Sequence, residues 1–381
     1  MTQRRAVVTS FSLVTPLGNL NNEVWSKLIN NQSAARNWED LEKDGFRFAK
    51  ACRVMEGPAN PDSERGAWFT RTALHNAIAD AQIDIPENTG IFIGSTIGES
   101  AAFEAIAAGA DLDPMKYTID SFANLIKKEL KTSGISFSYG TACTAGNYAI
   151  GAAASAIRNG MTDVAIAGGV EPFSRVAMTG FSRSRAMTAD LCRPFDQNRD
   201  GMILGEGAAI FILEEEEHAL ARNVQPLAVI GSLGLSCDAY HPTAPLNDGS
   251  GIARAMKAAL SLEKIEPYEV DWICAHGSGT IVSDRSEAIA IKNFFGSHVP
   301  VSGVKGAIGH SLGAATAIEA AICIMALQKS MIPPTVNLEN PDPEFNINLV
   351  TRPKSGELNC ILNCGYAFGG LNSALLIKKW K

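Results

Sequence analysis

The sequence predicts an α/β fold with helices covering sheets, because short β-like apolar runs alternate with longer helical patterns along its 381 residues. Two further observations agree. Many of the 34 glycines fall in apolar contexts, which suits tight helix–strand packing rather than flexible linkers. A small-residue helical pattern also occurs twice, after Cys143 and after His310. That is a weak internal echo of the kind two similar halves produce.

In chain order, the short apolar runs Arg5–Ser10, Gly90–Gly94, Asp163–Ala167, Ala208–Leu213, Leu227–Gly231, Asp271–Ala275, Ile361–Leu362 and Ser373–Ile377 read as strands. The longer runs Trp68–Ala81, Ser121–Leu130, Cys143–Arg158, Gly251–Leu260, Ser286–Phe295 and Leu312–Lys329 read as helices. Arg5–Ser10 and Leu227–Gly231 each lead into a loop, so each opens one half. The halves are residues 1–225 and 226–381, with the boundary near Arg222–Pro226. The acidic run Glu214–Glu217 before it reads as a solvated helix start, since carboxylates favour the first turn.

A hydrophobic fraction of 46% against 19% charged residues allows a substantial core. The net charge of −7 argues against general nucleic-acid binding but leaves room for a local basic patch. Eight cysteines at 52, 143, 192, 237, 274, 323, 360 and 364 form no disulfide framework, so a reducing, cytoplasmic setting is expected. Cys360 and Cys364 lack the second pair a metal site needs, and no metal is expected. The first residues read as a strand rather than a signal peptide. No run of about 18 uncharged apolar residues appears, so no membrane span is expected.

Chemistry concentrates at three places. Cys143 sits in G-T-A-C-T-A-G at the start of an Ala/Gly-rich helix. Unpaired N–H groups and the helix dipole there favour thiolate. The Gly-bounded turn would suit a nucleophile, and a buried structural thiol is the other reading. His276 follows an apolar strand in A-H-G-S-G-T, where α/β folds place ligands. It either caps that strand or serves a site. His310, in G-H-S-L-G-A-A, is either an N-cap-like residue or a second site histidine. Lys305 is a lone cation in an apolar stretch, with Glu319 as its natural partner. His75, His218, His241 and His298 read as surface or loop residues. Gly365–Asn372 is a glycine turn holding aromatic rings, able to present an N–H and a ring to a pocket.

T-A-C-T-A-G at Cys143, A-H-G-S-G-T at His276, V-K-G-A-I-G-H-S-L-G-A-A from Val304 and F-G-G-L-N from Phe368 together resemble the elongating β-ketoacyl-acyl-carrier-protein synthases. A-G-G-V-E, R-P-F-D, R-D-G-M-I-L-G-E-G-A, D-A-Y-H and P-P-T-V-N-L extend the resemblance along nearly the whole chain. It implies a thiolase-like fold of two βαβ halves in five α-β-α-β-α layers. It implies that Cys143 holds an acyl chain as a thioester, and that His276 and His310 stabilise the enolate formed when a malonyl unit loses carbon dioxide. Lys305 and Glu319 would support the second histidine. Phe368 would be the gatekeeper ring. Thr243, Ser278 and Thr280 would contact the pantetheine arm. Tyr366 and Ala367 replace the usual Phe-Gly pair, which predicts a stiffer gate loop.

No cofactor is implied. The implied partners are an acyl carrier protein with its phosphopantetheine arm and a second homologous subunit, in a homodimer or a heterodimer joined at Ser136–Tyr139. The carrier protein is acidic, so Arg65, Arg71, Lys127, Lys128, Lys131, Arg183, Arg185 and Arg193 are candidate docking cations. The pocket floor is expected from Ser95–Glu104, Asp111–Leu130 and the partner subunit. Other readings are a chain-length subunit, which usually lacks the nucleophile, and a thiolase acting on coenzyme A esters with Cys364 as acid/base.

Overall fold

A computed structural model describes residues 4–58 and 61–381. The first half contains β1 (Ala6–Val14), α1 (Pro61–Ala81), β2 (Gly90–Gly94), α2 (Ser121–Leu130), β3 (Ser136–Tyr139), α3 (Ala145–Arg158), β4 (Val164–Glu171), α4 (Arg175–Arg183) and β5 (Gly207–Glu215). The second contains β6 (Ala228–Cys237), α5 (Ser250–Glu263), β7 (Trp272–Cys274), α6 (Ile281–Phe295), β8 (Pro300–Ser302), α7 (Ala315–Lys329), β9 (Cys360–Tyr366) and β10 (Leu371–Lys378).

The strands join in one mixed sheet whose halves repeat each other. Outward from the middle, the first half runs β1-β5-β4-β2-β3 and the second β6-β10-β9-β7-β8. In both, the first two pairings are antiparallel and the next two parallel. The half-sheets join where Val7 and Val8 pair with Val229 and Ala228. Helices α3 and α7 pack on each other between the half-sheets, α1 and α2 cover one outer face, and α5 with α6 the other. This is the five-layered thiolase-like arrangement expected above. Small residues make the centre possible: a Cβ added at Gly146 would stand 2.5 Å from the Ala317 nitrogen.

Several boundaries differ from expectation for one physical reason. Small and hydroxyl residues that resemble turn signals are here buried inside paired strands. β1 continues through Ser10, Phe11 and Ser12 to Val14, all buried between β5 and the core. β4 is likewise longer than expected; separately, β6 runs on to Cys237 through partly exposed residues, and α6 starts at Ile281 rather than Ser286.

The acidic run is also not a solvated helix start throughout. Glu214 and Glu215 finish β5, and Glu214 is fully buried against Arg222, His218 and Thr9. Glu215 caps the next helix by accepting the His218 N–H at 3.1 Å. His218 is therefore half-buried, not a free surface residue. Residues 312–329 are long and apolar enough to cross a membrane by length and composition alone, but they include Glu319 and Lys329 and are 89% buried between the half-sheets. The stretch is the core helix.

Candidate active site

Cys143 lies where β3 turns into α3, in a short 3₁₀ turn spanning Ala142–Thr144. Ala142 adopts φ +50°, a left-handed conformation that sharpens the turn. Thr144 Oγ1 locks it by donating to the Thr141 carbonyl at 2.6 Å. The second half repeats the device before α7, where Leu312 has φ +44°. Cys143 is buried, and burial pushes its pKa up to about 12 against the pull of Lys305. The expected thiolate is therefore not the resting form. A helix terminus contributes little when the charged form must be desolvated, and Glu171 and Glu319 add negative charge nearby.

His276 follows β7 and His310 follows the turn after β8. Their ring centroids are 5.2 Å apart. Lys305 is buried, donating to Glu319 Oε1 at 2.5 Å and to the His276 carbonyl at 2.6 Å, and it stands 3.4 Å from His276 Nδ1. This corrects the sequence expectation, because Lys305 braces the first histidine rather than the second. His310 is instead set by the backbone: its Nδ1 accepts the Leu312 N–H at 3.1 Å. Burial, and then the Lys305 charge, push both histidines well below their usual range. Both are thus neutral with Nδ1 accepting, which assigns the remaining proton to Nε2 in each.

One cavity of about 320 Å³ is lined by Cys143, His276, His310, Phe368, Thr243, Ser278 and Thr280. Lys305 and Glu319 stand behind it. Phe368 is 38% exposed at the mouth, and its ring lies 5.3 Å from Phe181 on α4. Gly369 and Gly370, at φ +85° and +76°, make the turn that carries it. Gly369 donates to the Pro242 carbonyl at 2.7 Å and Gly370 accepts from Asp238 N at 2.8 Å, so the gate loop is tied to the loop bearing Thr243. Tyr366 is buried, 5.7 Å from the His276 ring. None of residues 95–104 or 111–130 lines this cavity, although Ile97 packs in the same apolar cluster as Cys143.

Three buried carboxylates escaped the sequence reading. Glu287 accepts the N–H groups of His276 (2.8 Å) and Gly277 (2.9 Å). One turn earlier, Asp284 accepts those of Phe195 (2.8 Å) and Gly279 (3.1 Å). Together they hold the His276 loop on α6. Burial raises Glu287 to about 8 and Asp284 to about 6. Their signal was two acids three apart in the first turns of the helix that follows the His276 loop. The third, Glu171, ends β4. Among the described residues no group of three or more His, Cys, Asp or Glu is placed to hold a metal ion.

A buried thiol and two neutral imidazoles on a thiolase-like frame define the class as a carbon–carbon condensing acyltransferase. Comparison places it more closely. Residues 3–219 match the β-ketoacyl synthase N-terminal domain and residues 227–339 its C-terminal domain. The chain is 34% identical to 3-oxoacyl-[acyl-carrier-protein] synthase 2 of Rhizobium meliloti and 33% identical to that of Staphylococcus aureus, over 99% of each chain in both cases. The solved ishigamide ketosynthase/chain length factor superposes with a TM-score of 0.93 at 34% identity, covering 100% of both chains. A type II polyketide ketosynthase, in complex with its acyl-carrier protein, superposes with 0.90 at 27% identity, again over 100% of both. The chain belongs to the β-ketoacyl synthase family.

Proposed function

We propose that this chain condenses an acyl group held on Cys143 with malonyl-acyl-carrier-protein, in fatty-acid or type II polyketide synthesis. The observation that carries this reading is the pairing of two neutral, Nε2-protonated histidines with a buried thiol around one cavity. In acylation the thiol attacks the carrier thioester, an acyl-Cys143 bond forms, and the proton leaves with the pantetheine thiol. Malonyl-carrier-protein then loses carbon dioxide. His276 and His310 donate to the enolate oxygen, each contributing roughly 3–4 kcal/mol to that transition state. The carbanion attacks acyl-Cys143, and the N–H groups of Cys143 and Phe368 receive the second oxyanion. Expulsion of Cys143, which takes up a proton, completes the β-ketoacyl product.

Thr243, Ser278 and Thr280 offer hydroxyls along the cavity to the pantetheine arm. Carrier docking falls to Arg183 and Arg185. Both are exposed, and Arg185 lines the mouth. Of the other candidates, Arg65 is buried on Glu206, Arg193 pairs with Asp190 and Arg71 with Glu129, while Lys128 and Lys131 are exposed but, with Lys127, do not line the cavity. A second subunit adds to edge strand β3, where Phe137 is 51% exposed. The likeness to a ketosynthase/chain length factor favours a homologous partner as much as a second copy. The free state of all eight cysteines suits a cytoplasmic setting. Malonyl-carrier-protein consumption by the chain, with and without a co-purified homologue, tests the reaction; no β-ketoacyl product in either case overturns it.

A further inference from the structure

Glu171 is 1% exposed, and its carboxylate gathers two separate loops. Oε2 accepts the N–H groups of Thr96 at 2.6 Å and Gly313 at 2.8 Å. Oε1 accepts that of Ile97 at 3.1 Å and lies 3.4 Å from the Ser95 hydroxyl. Ile97 packs in the apolar cluster that contains Cys143 and Leu312, so this loop walls the nucleophile. Gly313 belongs to the strained turn that follows His310, and that turn packs against the turn of Cys143.

The internal repeat gives this placement its meaning. The first half puts a thiol at the start of α3, after the left-handed Ala142. The second puts Gly313 at the matching start of α7, beside the left-handed Leu312, and there Glu171 reaches across from the first half to accept its N–H. Burial pushes Glu171 up to about 7, and what holds its charge is backbone N–H dipoles rather than a cation. The charged groups that bear on Cys143 are Lys305, which favours its ionisation, and Glu171 and Glu319, which oppose it. His276 and His310 face it across the cavity as neutral rings.

We propose that Glu171 is a positioning residue for Cys143 and His310: it fastens the wall behind the nucleophile to the turn that follows His310, and it keeps a negative charge on the nucleophile's side. The proposal rests on reading Cys143 as the nucleophile. It gives the buried carboxylate that opposes ionisation of the resting Cys143 thiol a place in the site.

The test is the rate of iodoacetamide labelling of Cys143 between pH 6 and 9, followed by peptide mass spectrometry. Glu171→Gln keeps the shape and removes the charge. Its labelling profile should move about one unit to lower pH, with labelling about threefold faster at pH 7.5, because more thiolate outweighs its lower nucleophilicity. Glu171→Asp keeps the charge and should keep the wild-type profile. Superimposable profiles for Glu171→Gln and wild type overturn the proposal. If the glutamine variant does not fold, the wild-type profile decides. A bend near pH 7, where Glu171 ionises, is expected, and a straight line of constant slope overturns it. Labelled protein that still transfers acyl groups counts separately against Cys143 as nucleophile, leaving the Glu171 profiles to be read independently.

Discussion

The ring of Phe368 rests 5.3 Å from that of Phe181, joining the gate loop to helix α4, whose last residue is the exposed Arg183. A ring pair of this kind is worth about 0.5–1.5 kcal/mol beyond its buried area. If Phe368 is the gate proposed above, this contact is weak enough for a docking carrier protein to break.

Phe181→Ala should loosen the gate. Decarboxylation of malonyl-carrier-protein without an acyl primer is expected to rise about two- to tenfold, the population shift that the lost contact permits. Stopped-time carbon dioxide release measures it. An unchanged unprimed rate means that Phe181 does not hold Phe368.

His310→Ala should leave acylation of Cys143 largely intact and cut decarboxylation by about 10²–10³-fold, the cost of one lost oxyanion donor. His276→Ala should behave alike. Comparing acyl-adduct formation with carbon dioxide release separates the steps. Normal decarboxylation by either variant removes its assigned role.

The histidine protonation state fixes a pH dependence. Both folded pKa values lie well below the unfolded value near 6.5. As pH falls, the unfolded chain takes up these protons first, so the pair's contribution to stability is complete above about pH 6.5 and lost below it. Decarboxylation should accordingly hold level from pH 6.5 to 8. A decline over that range, with the midpoint of a titrating imidazolium, contradicts neutral donors.

Glu319→Ala leaves Lys305 buried without its countercharge and should destabilise the fold by about 3–5 kcal/mol. Replacing both, with Lys305→Met and Glu319→Leu, should recover much of that stability yet leave decarboxylation impaired, because the His276 carbonyl and Nδ1 lose their donor. Thermal unfolding alongside carbon dioxide release reads the two effects apart. Full activity in the double variant means that Lys305 serves stability alone.

Much of this architecture is written in local pattern. Gly90–Gly94 and Ser121–Leu130 occupy the bounds their composition indicates, and the small-residue runs after Cys143 and Leu312 became the two central helices. What local pattern could not carry was partnership across long separations. Nothing near Glu287 announces that it holds the His276 loop, and nothing near Lys305 tells which histidine it braces. Arg65 reads as a docking cation until Glu206, 141 residues away, is seen to bury it. The resting thiol of Cys143 was misjudged for a related reason. A helix start is visible in sequence, whereas the depth of burial that outweighs it is set by both halves together.

The most direct test of the account is intact-protein mass spectrometry after incubation with acyl-carrier-proteins of different chain lengths. The account predicts one acyl mass added per chain, absent in Cys143→Ala and discharged by malonyl-carrier-protein in the wild type. An adduct that survives Cys143→Ala, or one that malonyl-carrier-protein leaves in place, would contradict it.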